Sequence, residues 1–146
     1  MSVAFRRESD DEHKEPKFEL PIPVGPNRVT ERGLRMIEAE VARLEAIAAP
    51  DEIDLRHLRY WRTRLATAEP APPFTGEEAA LGARVAYRDG GVAHVVDIVG
   101  HDEAEPAAGR IAFSAPLARA LIGTGAGDEV PFSGRFLMVD TVGAIP

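Results

Sequence analysis

The chain has 146 residues and no cysteine. This excludes disulfide frameworks, thiolate metal sites and cysteine nucleophiles, and it fits a reducing compartment, with the cytoplasm as the default expectation. Long apolar runs are missing too. Arg6 and Arg7 near the start are not followed by an apolar stretch, so neither a secretory leader nor a membrane span is expected. Lysine is almost absent: only Lys14 and Lys17 stand among 17 basic residues, the rest being arginine, and we read this as a composition effect without chemical meaning. An excess of positive charge is also lacking. The net charge of −7 argues against wrapping nucleic acid by counterion release and suits a partner with a basic patch. Any contact with nucleic acid is therefore expected to be indirect.

What is present is the balance of a folded chain, 45% hydrophobic against 28% charged, with 12 prolines and 13 glycines marking turns and linkers. Residues 1–29 mix acids, bases and prolines without helical or strand periodicity and read as a tail. Within it Phe18, Leu20, Ile22 and Val24 alternate, which allows an edge strand or packing on the next element, although prolines interrupt them.

Residues 30–69 read as a helical hairpin. Thr30 is a good N-cap and Glu31 suits the first turn, although a full capping box is missing. Leu34, Ile37, Val41, Leu44 and Ala48 then recur three and four apart, an a/d seam that Pro50 ends. Asp51 can cap a second helix reaching Ala68, with Leu58, Trp61, Leu65 and Ala68 on its seam. A connection this short forces the helices antiparallel, as a short coiled coil. Trp61 is expected in the core. Arg56, Arg59, Arg62, Arg64 and His57 face outward in this reading, paired across the hairpin with Glu31, Glu38, Glu40 and Glu45.

Pro70, Pro72 and Pro73 open a linker, residues 70–76, and 77–146 change character. A β-hairpin is predicted over 84–99 around Asp89-Gly90-Gly91, with strands at Ile111–Phe113, Val130–Phe132 and Phe136–Val142. A short helix opens at Ala115-Pro116 and stops before Gly123. The expected class is α+β: the helical hairpin followed by a small antiparallel sheet with one helix.

Three blocks in order carry a family resemblance. They are Ile98-Val99-Gly100-His101-Asp102-Glu103-Ala104, then Gly109 to Gly123 with Ser114-Ala115-Pro116-Leu117-Ala118-Arg119-Ala120-Leu121, then Gly127-Asp128-Glu129-Val130. They resemble the C-terminal domain of the bacterial GreA/GreB transcript-cleavage factors, and Val29-Thr30-Glu31-Arg32-Gly33-Leu34 resembles the opening of that family's coiled coil. The resemblance implies an FKBP-like C-terminal domain that docks on RNA polymerase at the rim of the secondary channel. It assigns the contact to Ser114, Ala115, Pro116, Leu117 and Arg119, with Arg119 alternatively bridged to the acidic loop Asp102-Glu103-Glu105. Ala115 stands where the family has serine, so Ser114 is the residue left to cap the helix. A monomer is expected.

In that family, acids at the coiled-coil tip help to hold a second Mg²⁺ at the polymerase active site. The tip string, approximately Asp-x-Ser-Glu-Asn-Ala-Glu-Tyr, does not occur in residues 45–60; Pro50-Asp51-Glu52-Ile53-Asp54 stands at the turn. A deletion shortening both arms accounts for this. An arm short by two turns misses its target by about 10 Å, whereas Mg²⁺ needs oxygen at about 2.0–2.1 Å. Asp51 and Asp54 are thus metal-ligand candidates only if the chain is a cleavage factor; together with Glu52 they are otherwise capping and helix-dipole residues.

The expected function is a polymerase-binding regulator without cleavage stimulation, similar to the short-coiled-coil regulators of nucleoside diphosphate kinase. It is expected not to be an enzyme itself and to have no cofactor of its own. The alternatives are a cleavage factor using Mg²⁺ at the polymerase active site and, remotely, an FKBP-like prolyl isomerase, for which Tyr87, Phe113, Phe132 and Phe136 are few aromatic walls. His13, His57, His94 and His101 lack metal-ligand spacing, and no phosphate-binding glycine loop or nucleophile elbow occurs.

Overall fold

The computed structural model describes residues 19–146. Phe18 and the rest of the first eighteen residues lie outside the described part. The chain enters through strand β1 (Arg28–Val29) and helix α1 (Glu31–Glu45), turns, and returns through helix α2 (Glu52–Thr67) to strand β2 (Glu69–Pro70). With arms of 15 and 16 residues, the hairpin brings the chain back to where it started. β1 and β2 therefore lie side by side and parallel, Arg28 opposite Glu69 and Val29 opposite Pro70.

Thr30 caps α1, its hydroxyl accepting from Gly33 N at 3.0 Å. Ile37, Val41 and Leu44 are buried as their spacing predicts, and Leu58 meets Val41 and Leu44, with Trp61, Leu65 and Ile47 packed around them. α1 ends before Ala48, so that residue is exposed and Ile47 closes the seam. Of the expected cross-helix ion pairs, Arg62–Glu45 forms at 2.8 Å, while Arg43 and Arg35 pair within α1.

The second part is a five-stranded sheet in the order β5-β4-β3-β7-β6. Its strands are β3 (Ala83–Asp89), β4 (Val92–Val99), β5 (Arg110–Ala112), β6 (Glu129–Phe132) and β7 (Arg135–Ala144), with helix α3 (Pro116–Leu121) between β5 and β6. The sheet is mixed, correcting the all-antiparallel expectation: β5 runs parallel to β4, with Asp97, Ile98 and Val99 opposite Arg110, Ile111 and Ala112. The cause is the compact loop 100–109. A 3₁₀ turn at Pro106–Ala108 and the bond from Asp97 N to Gly109 O (2.8 Å) swing the chain back beside β4 in the same direction.

Alternation puts Val85, Tyr87, Val96, Ile98, Leu137 and Val139 on one face, where Ala118 and Leu121 of α3 seal them into the main core. Phe113 and Phe132 pack against that core and Tyr87 lies within it, whereas Phe136 is 65% exposed, so these four aromatic residues do not line one pocket as an isomerase site would require. No helix among the described residues is long and apolar enough to cross a membrane.

The stretch read as tail enters the structure at its end. Asn27 and Val29 are buried, and Glu19 holds Arg59 at 2.9 Å. Ile22 and Val24 are exposed and form no strand; Leu20 and Ile22 flank a shallow hollow beside Arg59, Tyr60 and Thr63 of α2.

Candidate functional site

Ser114, Ala115, Pro116, Leu117 and Arg119 lie together at the start of α3. The helix begins there because Ala115 is extended (φ −67°, ψ 149°) and Pro116 occupies the first turn, where its missing N–H costs nothing. Ala118 and Leu121 anchor it to the core, and Leu117 is half-buried against that core. Ser114, Pro116 and Arg119 are left facing solvent, followed by Ile122, which is 40% exposed. Ser114 does not cap the helix; its hydroxyl lies 3.3 Å from His101 Nε2, and α3 has no side-chain cap. Arg119 makes no ion pair among the described residues. The acids expected to bind it are taken: Asp102 by Arg64, Glu103 by Arg32 and Glu105 by Arg110.

The far end of the hairpin is the turn 46–51. Asp51 Oδ1 accepts from Asp54 N at 2.7 Å, and Asp54 Oδ2 accepts from Asp51 N at 3.0 Å, a complete reciprocal capping box. The Asp54 backbone N–H, more than any other group, holds the Asp51 carboxyl below its ordinary range. Glu52 lies 3.9 Å from Arg59. Capping therefore accounts for the geometry of Asp51 and Asp54, and no group of three or more His, Asp or Glu side chains among the described residues could hold a metal. Each arm projects roughly 22–24 Å at 1.5 Å per residue.

Between these two places lies a polar joint. Asp102 accepts from Tyr60 Oη at 2.6 Å and from Arg64 Nε at 2.7 Å. Arg64 is 1% exposed, and its Nη2 donates to Asn27 Oδ1 at 2.8 Å while Asn27 Nδ2 donates to the Arg64 carbonyl at 2.8 Å. Glu103, also buried, accepts from Thr30 Oγ1 and, at 2.8 Å, from Arg32 Nη1. Burial and the Asp102 carboxylate push the Tyr60 phenol up to about 12.

Two glycines make the approach possible. A Cβ on Gly33 would stand 2.9 Å from Glu103 Oε1, and one on Gly100 would stand 2.5 Å from the Arg28 carbonyl oxygen. Glu103, 73 residues away in sequence, thus accepts from the hydroxyl of the Thr30 cap. Arg64 is buried and not outward-facing as expected; the signal in the sequence is its position three residues after Trp61 and four after Tyr60, on the inward side of α2.

Fold and site define a short helical arm jointed to a small mixed-sheet domain that presents one exposed helix start. Residues 75–135 match the family described as transcription elongation factor, GreA/GreB, C-terminal. The chain is 30% identical to the transcription elongation factor GreA of Desulfovibrio desulfuricans, in an alignment of 132 positions covering 70% of this chain and 82% of that protein. Among solved structures it is similar to GreA factor homolog 1 (Gfh1) of Thermus thermophilus (19% identity, 82% of this chain, 100% of that one, TM-score 0.42). It is also similar to a GreA/GreB elongation factor from Nitrosomonas europaea (20% identity, 82% and 98% covered, TM-score 0.41). The chain belongs to the GreA/GreB family of transcription elongation factors.

Proposed function

We propose that this protein binds RNA polymerase through Ser114–Arg119, lies at the mouth of the secondary channel with its arm pointing inward, and regulates transcription without stimulating transcript cleavage. The observation that carries the reading is the hairpin end. The acids there close a capping box on an arm of only 15 and 16 residues, and the family's acidic tip string is absent.

Carboxylates that stop short of the catalytic metal cannot enter its inner shell, because Mg²⁺ takes oxygen only at about 2.0–2.1 Å. Docking does not depend on the tip. It uses Pro116 and the exposed Arg119, which makes no ion pair among the described residues and whose cation suits an acidic patch on the polymerase. Such a protein competes with a cleavage-competent factor for the same mouth.

The test uses purified polymerase in backtracked complexes with Mg²⁺, scoring RNA shortening and displacement of a full-length cleavage factor. Displacement without shortening supports the reading. Shortening that disappears in Asp51→Ala/Asp54→Ala would make the protein a cleavage factor, and absence of displacement would remove the polymerase from the account.

A further inference from the structure

The two apolar clusters, one in the sheet domain and one between the helices, share no residue. The arm is tied to the sheet domain by the chain between Pro70 and Leu81 and by the groups around the loop that follows β4. That loop reaches both ways. Asp102 and Glu103 bind Tyr60, Arg64, Thr30 and Arg32 of the arm, while the preceding His101 contacts Ser114 and lies edge-on to Phe113, 5.3 Å between ring centres. One short turn of chain therefore touches the helical arm and the start of the exposed docking segment.

The joint is buried as well as polar. The side chains of Arg64 and Asp102 are 2% and 6% exposed, so their charges have lost most of their hydration and depend on one another and on Asn27 and Tyr60. A buried pair with several directional bonds admits few geometries, which an apolar contact alone does not enforce. Gly100 and Gly33 remove the side chains that would hold the two parts apart.

We propose that Asp102 and Glu103 are positioning residues. They fix the direction of the α1–α2 arm relative to Ser114–Arg119, so that a polymerase engaged at that segment receives the arm in one orientation. This rests on the polymerase reading above and assigns the Gly-x-Asp-Glu stretch, Gly100 to Glu103, to aiming instead of docking.

The absence of cysteine lets Ala48→Cys/Ala93→Cys carry a single pair of spin labels, one at the exposed hairpin end and one on exposed β4. Measured on the free protein, the distance distribution is expected to be narrow. Asp102→Asn/Glu103→Gln should broaden it while helical circular dichroism is retained. If the correct direction is then populated a tenth of the time, competition for polymerase weakens about tenfold. A narrow distribution in the folded double variant overturns the proposal. Should that variant fail to fold, Glu103→Gln alone, which keeps the buried Arg64–Asp102 pair, decides it: broadening supports the joint and an unchanged distance overturns it. Because the distances need no polymerase, a narrow wild-type distance with no polymerase binding would remove the functional reading and leave the joint intact.

Discussion

The sheet domain and the helical arm are held together by different forces. The sheet encloses ten buried residues in one apolar cluster, whereas the hairpin cluster has three, Val41, Leu44 and Leu58, with Ile37 the other buried apolar residue of the two helices. The first is the larger core. The second is marginal by area, since a helical pair of this length has little apolar surface to bury. What the arm lacks in core it recovers at its base, where Asn27 and Arg64 bind each other and Arg64, Tyr60 and Thr30 bind two acids of the sheet domain. The arm is a projection whose order is borrowed from its root.

The sharpest way to break this contrast is a pair of truncations. Arg64→Ala leaves Asp102 buried without its cation and is expected to cost about 3–5 kcal/mol, the usual penalty for breaking a buried pair. Leu121→Ala, in the sheet core, is expected to cost about 2–5 kcal/mol by transfer and cavity effects. The two should differ in character: Arg64→Ala loosens the arm first, seen as early loss of helical signal, while Leu121→Ala lowers the sheet transition. Denaturant unfolding followed by helical circular dichroism for the arm and by amide hydrogen exchange of β3, β4 and β7 for the sheet checks both. Coincident transitions in Arg64→Ala would contradict a separable arm.

Shortening the chain probes the root from the other side. A chain beginning at Asn27 should melt as the full chain does, because Ile22 and Val24 are exposed and the Glu19–Arg59 pair lies at the surface. One beginning at Thr30 loses strand β1 with the buried Val29 as well as the two Asn27 bonds to Arg64, and should be less stable by more than the about 1–3 kcal/mol that leaving a buried polar group unmatched costs. Thermal melts of the two chains make the comparison, and equal melting would show that residues 27–29 are dispensable.

The mildest lever is pH. The Tyr60 phenol is raised from 10.0 to about 12, so folding favours its protonated form. The stabilisation is complete below the unfolded value near 10.0 and is lost as pH rises through about 12. Between these values wild type should lose stability faster than Tyr60→Phe in denaturant melts. Parallel curves would show that the Tyr60–Asp102 bond does not carry the effect.

Local patterns were legible where partners lie near in sequence. The seam residues Ile37, Val41, Leu44 and Leu58 are buried, and the caps at Thr30 and Asp51 form as their residue types predict. Ala48 misleads because α1 ends three residues earlier, before a turn that Pro50 makes compulsory. The parallel β4–β5 pair was hidden for a different reason: a strand's direction depends on how a loop folds, and nothing in the composition of residues 100–109 announces the 3₁₀ turn that reverses it. The joint was the least legible feature. Arg64 finds Asp102 across 38 residues and Thr30 finds Glu103 across 73, and helical spacing alone does not reach that far.

The measurement closest to the central claim is RNA shortening in backtracked polymerase complexes with Mg²⁺, with the protein present alone and in competition with a full-length cleavage factor. No shortening by this protein is expected, together with a dose-dependent loss of the shortening caused by the competitor. Shortening by the wild-type protein that is lost in Asp51→Ala/Asp54→Ala would contradict it, for the end of the short arm would then reach the metal.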